Sequence, residues 1–343
     1  MPVYNGERFL DEAIASVFAQ DYGDFELVIV DDGSTDRTAE ILASWAAREP
    51  RIVVITLDQN VGIPAALNHG LHAARAEFVA RHDADDVFVS GRLREQLAVL
   101  ESDPNVVLVS GIIETIDAKG RRMSTFARIE PPEVTAYLLH FSNVVGGHAQ
   151  VMYRRDQVLS IGGYDVHYAL SEDYDLWTRL ARLGQIVTLP KVMMKKRVHQ
   201  QRVSFVMSER QRNRSAAITR RMLTGLLGRE LTDDEMQSVI SVWKRGHRPH
   251  SARVGHRILV EAYQHFIRMN PNVEHRRRVR IVTASRWVVT AAHFARGGRF
   301  GQMFRHLGYA ALWHPLGILM GTALVARSIA GWVRYHSSWA LSR

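Results

Sequence analysis

Cysteine is absent from the 343 residues, which excludes disulfides, zinc-thiolate sites and cysteine nucleophiles and suits a reducing compartment. Residues 1–20 lack the apolar stretch of a secretory leader, because Glu7, Arg8, Asp11 and Glu12 fall where it would lie. A cytoplasmic location is therefore the expectation. No repeat period runs through the chain, and no array of long apolar segments marks an integral membrane protein.

Acidic residues are scarce in the second part. Lys and Arg number 16 against 28 Asp and Glu over residues 1–190, but 28 against 7 over residues 191–343. Such asymmetry suggests an acidic, cation-using module followed by a basic module that meets something anionic. Residues 307–326 hold no Lys, Arg, Asp or Glu and are long enough to span a bilayer. His314 and Pro315 interrupt that stretch, so a buried or membrane-surface helical hairpin is favoured over a spanning helix. A solvated helical appendage and an anionic membrane surface are two open readings of the basic part. Nucleic acid is set aside, since no recognised motif or aromatic stacking platform accompanies the charge.

In the first part, short β-branched apolar runs alternate with helical patterns. The runs are FELVIV (25–30), RIVVITL (51–57), EFVAR (77–81) and NVVLVSG (105–111); the helices are expected over 7–20, 35–48, 63–75 and 90–102. This series predicts an α/β fold of Rossmann-like kind, a mostly parallel sheet with helices on both faces. Ligands of such sheets bind beyond the carboxyl ends of the strands. After residue 131 the spacing predicts a helix near 131–141, a strand at HAQVMYR, a helix opening at SEDYDLW, and two strands, 185–190 and 192–198. From about 208 onward the pattern is mostly helical.

Three carboxylates close together, Asp83, Asp85 and Asp86 in EFVARHDADDVF, repel one another unless something positive sits among them. A lone Asp-x-Asp is most often a turn that caps the next helix. At a strand's end the same residues suit a hard cation, Mg2+ or Mn2+, that grips phosphate oxygens. A second pair, Asp31 and Asp32 in VIVDDGSTD, also follows a strand, and carboxylates there accept well from a base N–H and ribose hydroxyls. Asn60 and Gly62 in DQNVGIPAALNHG form a loop before a helix whose first turn can face a phosphate. Glu172 and Asp173 open a later helix, where acids favour the dipole whatever the chemistry.

Taken in order, MPVYNGERFLDEAIASVFAQDYGDFELVIVDDGSTDRT, NVGIPAALNHG, ARHDADD and SEDYDLWTRLARLG resemble family 2 glycosyltransferases, GT-A-fold enzymes that use nucleotide-diphospho-sugars. The resemblance covers roughly residues 1–205 and implies a GT-A domain there, followed by a basic, mostly helical C-terminal region over 206–343. It implies nucleotide contacts from Pro2, Tyr4, Asn5, Asp31 and Asp32, with Asn60 and Gly62 of the loop beside them. It implies a divalent metal and diphosphate at Asp83 and Asp85, and a general base at Asp173 with Glu172 adjacent. Asp86, His148, His199 and Arg202 are further candidates for acceptor or diphosphate contacts, with Ser204, although a lone histidine is more often packed or solvated.

A single displacement with one base inverts the anomeric configuration, so an inverting transfer is expected. Family habit points to a UDP-sugar donor and a saccharide or lipid-linked saccharide acceptor, in polysaccharide, O-antigen or other glycoconjugate assembly. The enzyme would then be cytoplasmic or peripheral on the inner face of the cell membrane. Gln-Gln-Arg-Val near residue 200 lacks the Gln-x-x-Arg-Trp pattern of processive synthases, which favours single transfers. Relatives carry several strand residues before Pro-Val-Tyr-Asn, whereas this sequence begins at Met1-Pro2; an upstream natural start or a truncated copy is the expectation. Three other readings compete with the transferase. A nucleotidyltransferase would need a glycine-rich basic loop, which NGERFLD is not. A phospho-acceptor module around Mg2+ explains Asp31, Asp32 and Asp83 but not the Glu-Asp helix. A membrane-associated scaffold with a degenerate enzyme domain would show no metal-dependent nucleotide binding.

Overall fold

Five consecutive buried residues, Leu27–Asp31, form the middle strand of a parallel sheet, as a strand covered on both faces requires. With Pro2–Val3 as β1, Leu27–Asp31 as β2 and Ile52–Thr56 as β3, the order is β1-β2-β3. The computed structural model describes residues 1–126, 128–199, 208–243, 251–296, 298–314, 316, 318, 319 and 322. Its chain divides into two compact units, Met1–Ile218 and Thr219–Arg343.

A second sheet in the first unit contains Phe78–Ala80 (β4), Val87–Phe88 (β5), Val106–Ile116 (β6), Arg122–Phe126 (β7), Met152–Arg154 (β8) and Gln185–Arg197 (β9). Its order is β4-β8-β6-β9-β5, with β7 on β6. Every pairing in it is antiparallel except β6 with β9. The parallel ladder of the first three strands thus gives way to a mixed sheet, because β8 runs antiparallel between β4 and β6, and β5 runs antiparallel beside β9. β9 is one strand where the sequence suggests two. Pro190 has no N–H to give, and the ladder skips there: Ser110 pairs with Thr188 and Ile112 with Val192. Gly111 permits the irregularity, since a Cβ at that position would lie 3.1 Å from the Lys191 carbonyl oxygen.

Leu10–Phe18 (α1), Thr38–Arg48 (α2), Ile63–Ala73 (α3) and Arg92–Ser102 (α4) follow the strands of the first half. α1 buries Leu10, Ala13, Ile14 and Val17, the spacing of one helical face, in a core shared with Ile29, Leu42, Leu100 and Val109. Pro132–Leu138 (α5), Arg155–Ser160 (α6) and Glu172–Leu180 (α7) belong to the second half.

Between β2 and β4 lies a cavity of about 200 Å3, lined among others by Met1, Val28, Val30, Phe78, Ala80 and Met152. Among the described residues β4 pairs on one side only, with β8, and β2 meets β1 only at Val30 and Asp31. Two strand edges therefore face the cavity. An extension of four alternating β-branched residues ahead of Met1 is expected to fill it. The extended chain should melt about 4 °C or more above one carrying an equally long Gly-Ser extension, since each kcal/mol moves Tm by roughly 2–4 °C in domains of this size. Equal melting temperatures would mean that the cavity does not take a strand.

The second unit is helical. Ser208–Leu227 (α8) crosses the boundary between the units, and Asp233–Trp243 (α9), Ala252–Met269 (α10), Arg276–Arg296 (α11) and Phe300–Trp313 (α12) follow. α9 starts at a reciprocal cap: Glu235 N donates to Thr232 Oγ1 at 3.2 Å, and Thr232 N donates to Glu235 Oε2 at 3.1 Å. Its core is apolar, with Val239, Ile258, Leu259, Val279 and Val282 buried. Among the described residues no helix is long and apolar enough to cross a membrane. Of the uncharged stretch 307–326, residues 315, 317, 320, 321 and 323–326 lie outside the described residues.

Candidate active site

The carboxyl ends of β1 and β2 are fastened together by the loops that leave them. Asn5 adopts a left-handed conformation, φ 51°, and its Oδ1 accepts from Thr35 N at 2.8 Å while its own N–H donates to Ser34 Oγ at 2.9 Å. Gly6 N donates to Thr38 Oγ1 and Glu7 N to Asp36 Oδ2, which continues the seam. Tyr4 stays 51% exposed beside this seam, and Pro2 lies in β1 itself.

Asp31 and Asp32 are both buried at the end of β2. Asp31 Oδ1 accepts from Ser34 N at 3.0 Å, closing the turn. Asp32 reaches the loop after β3, where Val61 N donates to Oδ1 at 2.7 Å and Gly62 N to Oδ2 at 3.0 Å. Gly62 has φ 88°, a conformation that a side chain rarely adopts. Gly33 lets the two loops approach, because a Cβ there would lie 2.7 Å from the Gln59 carbonyl carbon. Asn60 is exposed on the same loop. Asp32 thereby ties together the two segments that the sequence assigned to nucleotide contact.

The acidic cluster sits after β4 and is held from two sides. Arg81, 3% exposed, donates from Nη2 to Asp83 Oδ1 at 2.7 Å and from Nη1 to the His82 carbonyl. From the end of β9, His199 Nε2 donates to Asp85 Oδ2 at 3.0 Å, and Arg197 Nε donates to the Asp85 carbonyl at 3.1 Å. Asp86 faces inward, fully buried, and its Oδ1 accepts from Arg197 N at 2.9 Å. It thus anchors β9. One carboxylate oxygen each of Asp83, Asp85 and Asp86 lies within 4.8 Å of the others. An all-oxygen, multiply charged donor set of this kind fits Mg2+ or Mn2+.

The Glu172–Asp173 pair opens α7. Asp173 Oδ2 accepts from Asn143 Nδ2 at 2.9 Å, and its Oδ1 accepts from Tyr174 N at 2.6 Å. Glu172 is buried, and its Oε2 has no hydrogen-bond partner among the described residues. Burial first, then the neighbouring Asp173 charge, pushes Glu172 up to about 7. Burial also raises Asp173, to about 6, against the Tyr174 amide, the Lys196 ammonium and Asn143, all of which favour its anion. Asp83 raises it further, so the acidic cluster and this pair act on one another through space.

His148 lies beside the pair, with Nδ1 3.7 Å from Glu172 Oε1 and Nε2 3.0 Å from Tyr164 Oη. Burial, and next the Arg81 charge, holds its pKa well below the ordinary histidine value, so the ring is neutral at pH 7. Arg202 and Ser204 lie outside the described residues. Sequence reasoning missed Arg81, Arg197, Asn143 and Lys196. Only Arg81 left a local signal, as the cation two residues ahead of Asp83.

Residues 1–159 match the family model described as glycosyl transferase family 2. The chain is 32% identical over 210 residues to the amylovoran biosynthesis glycosyltransferase AmsE of Erwinia amylovora, a span of 57% of this chain and 73% of that protein. The chain belongs to glycosyl transferase family 2. Solved structures show the fold of this family 2 transferase to be GT-A. S. aureus TarS 1-349 in complex with UDP-GlcNAc matches at a TM-score of 0.54 and 18% identity, covering 88% of this chain and 87% of that one. The mannosyltransferase PcManGT from Pyrobaculum calidifontis, in complex with GDP-Man and Mn2+, matches at 0.51 and 18%, covering 96% and 85%.

Proposed function

We propose that this glycosyltransferase moves a sugar from a nucleotide-diphospho-sugar to an acceptor hydroxyl with inversion at the anomeric carbon, using Asp173 as general base. The observation that carries the reading is a pair of held acidic sites in one unit: Asp83 and Asp85, with carboxylate oxygens within 4.8 Å of each other, and Asp173, whose Oδ2 accepts from Asn143 Nδ2 at 2.9 Å. A donor diphosphate at one and an acceptor hydroxyl at the other would then meet across a short gap.

The seam between Asn5 and Thr35 and the staple from Asp32 to Val61 and Gly62 shape a rigid edge for the nucleotide, with Tyr4 exposed for stacking on a base. Asp83 and Asp85 would hold Mn2+ or Mg2+, which supplies the positive charge that a departing nucleoside diphosphate needs. The acceptor oxygen attacks the anomeric carbon as the bond to the diphosphate breaks, and its proton passes to the Asp173 carboxylate. Asn143 fixes that carboxylate in place, and Lys196 favours its anionic form. Glu172, buried and raised to about 7, gives up its proton after Asp173, so the first anion of the pair forms on Asp173. UDP-linked sugars are the first donors to try, and saccharides or lipid-linked saccharides the first acceptors.

Calorimetry with a panel of nucleoside diphosphates, with and without Mn2+, tests the reading. One nucleotide is expected to bind in the presence of Mn2+, and Asp85→Ala is expected to weaken that binding by about 100-fold, on the order of 3 kcal/mol for a lost ionic ligand. Equal affinity with and without Mn2+ would remove the metal from the mechanism. No binding at all would favour a scaffold.

A further inference from the structure

α12 carries an apolar face that nothing among the described residues of its own unit covers. Phe300 is 58% exposed, Phe304 67%, Leu312 83% and Tyr309 48%. Phe300, Phe304, Gly308 and Leu312 recur every fourth residue and run as one ridge along the helix, while His306 and Ala310 on the other side are buried. Ala310 packs there with Trp287 and Val288 of α11. Beyond Trp313, Leu316 and Leu319 are exposed as well. Exposed aromatic and aliphatic side chains in such a row are costly in water and rare on a monomer without a partner.

The surroundings of this face have one sign of charge. Neither α11 nor α12 contains Asp or Glu. Arg299 and Arg305 are exposed at the start of α12, and Arg277 and Arg280 are exposed on α11. Arg280 lies over the Trp313 ring, 5.7 Å from its centre, which brings α11 basic residues to the far end of α12. Guanidinium groups thus stand at both ends of the ridge, with aromatic rings between them. Aromatic and leucine side chains on an amphipathic helix, flanked by arginine, match the boundary between lipid headgroups and acyl chains. Each basic residue near an anionic leaflet adds to the attraction. With no helix among the described residues able to cross the membrane, the match is to binding on the surface.

We propose that the exposed face of α12, with Arg299, Arg305, Arg277 and Arg280 around it, docks on an anionic lipid bilayer surface. The inference stands on the second unit alone and does not depend on the transferase reading of the first.

Vesicle sedimentation with the full chain tests it, using equal parts phosphatidylglycerol and phosphatidylcholine in one set and phosphatidylcholine alone in the other. The chain is expected to sediment with the anionic vesicles in low salt and to bind the neutral ones far less. Phe304→Glu with Leu312→Glu should weaken binding at least about tenfold at any salt concentration, because the lost insertion is apolar. Arg299→Glu with Arg305→Glu should weaken it in low salt and much less in high salt, because the lost attraction is screened. An unchanged melting curve together with an unchanged helical circular dichroism spectrum shows that each variant is folded. The proposal is overturned if neither vesicle binds the chain or if the Phe304 and Leu312 variant binds as well as the parent. It is equally overturned if that variant turns a dimer into a monomer while vesicle binding persists, because a second copy would then cover the face.

Discussion

Asp173→Asn is expected to lower the transfer rate about 10²–10⁴-fold while nucleotide affinity changes little, the range that removal of a general base produces. Asparagine keeps the size of the side chain and can still accept the hydrogen bond from Asn143, but it cannot take a proton. Glu172→Gln should cost far less, because Glu172 is buried, lacks a partner for Oε2 among the described residues and holds its proton to about pH 7. The pH profile provides a second readout. A general base works only when deprotonated, so an Asp173 raised from 3.8 to about 6 puts the acid limb of the rate near pH 6. Below that the rate falls about tenfold per pH unit. Lys196 favours the anion, so Lys196→Met should move the limb to higher pH. A larger loss from Glu172→Gln than from Asp173→Asn would exchange the two roles.

Much of this site is legible in the amino-acid sequence, because its chemistry depends on residue types that a strand end seldom carries by chance. Asp31 and Asp32, Asp83 and Asp85, and Glu172 with Asp173 all follow short apolar runs or open helices, and the structure puts them at those positions. The first four helices are legible as well, since Leu10, Ile14 and Val17 repeat at helical spacing. Pairing direction is not. β8 and β4 are antiparallel, with Val79 opposite Tyr153, and nothing in either segment specifies its partner or its sense.

The illegible features share one physical cause, contact across large separations in sequence. Arg197 holds Asp86 from 111 residues away, and His199 holds Asp85 from 114. Asn143 reaches Asp173 over 30 residues from a segment with no motif. For the charge that offsets three carboxylates, the sequence offers a partial answer, a metal ion. The structure adds donors that make the cluster tolerable in the protein itself: the Arg81 guanidinium on Asp83 within the same loop, and the Arg197 backbone N–H on Asp86 and the His199 ring on Asp85 from the other side.

The second large effect is expected far from the reacting atoms. Arg92→Met should destabilise the first unit by about 2–5 kcal/mol, the cost of leaving buried acceptors without their donor. Arg92 is 1% exposed at the start of α4, where its position after Gly91 resembles a solvated first turn. Inside, its guanidinium spreads over several acceptors. Nε donates to Gln96 Oε1 at 2.9 Å, Nη1 to the Ala149 carbonyl at 2.7 Å, and Nη2 to the carbonyls of Arg81 and Val151 at 3.1 Å each. The group also lies 3.9 Å from the centre of the Phe88 ring. Methionine fills nearly the same volume but takes this donor from the carbonyls of Ala149, Arg81 and Val151; the Val151 oxygen keeps the Arg81 N–H at 2.9 Å, whereas a buried carbonyl left unsatisfied costs about 1–3 kcal/mol. Arg92→Lys keeps the charge as a single point that cannot fan out to acceptors on both sides, so it should recover only part of the loss. Because Arg81 presents one of those carbonyls while its own side chain holds Asp83, loosening the clasp is also expected to weaken Mn2+-dependent nucleotide binding. Denaturant unfolding read together with nucleotide calorimetry measures both effects. A loss below about 1 kcal/mol, the range of an ordinary surface substitution, would mean that the carbonyls find other donors and that the clasp is not what holds β4 and β8 at the site.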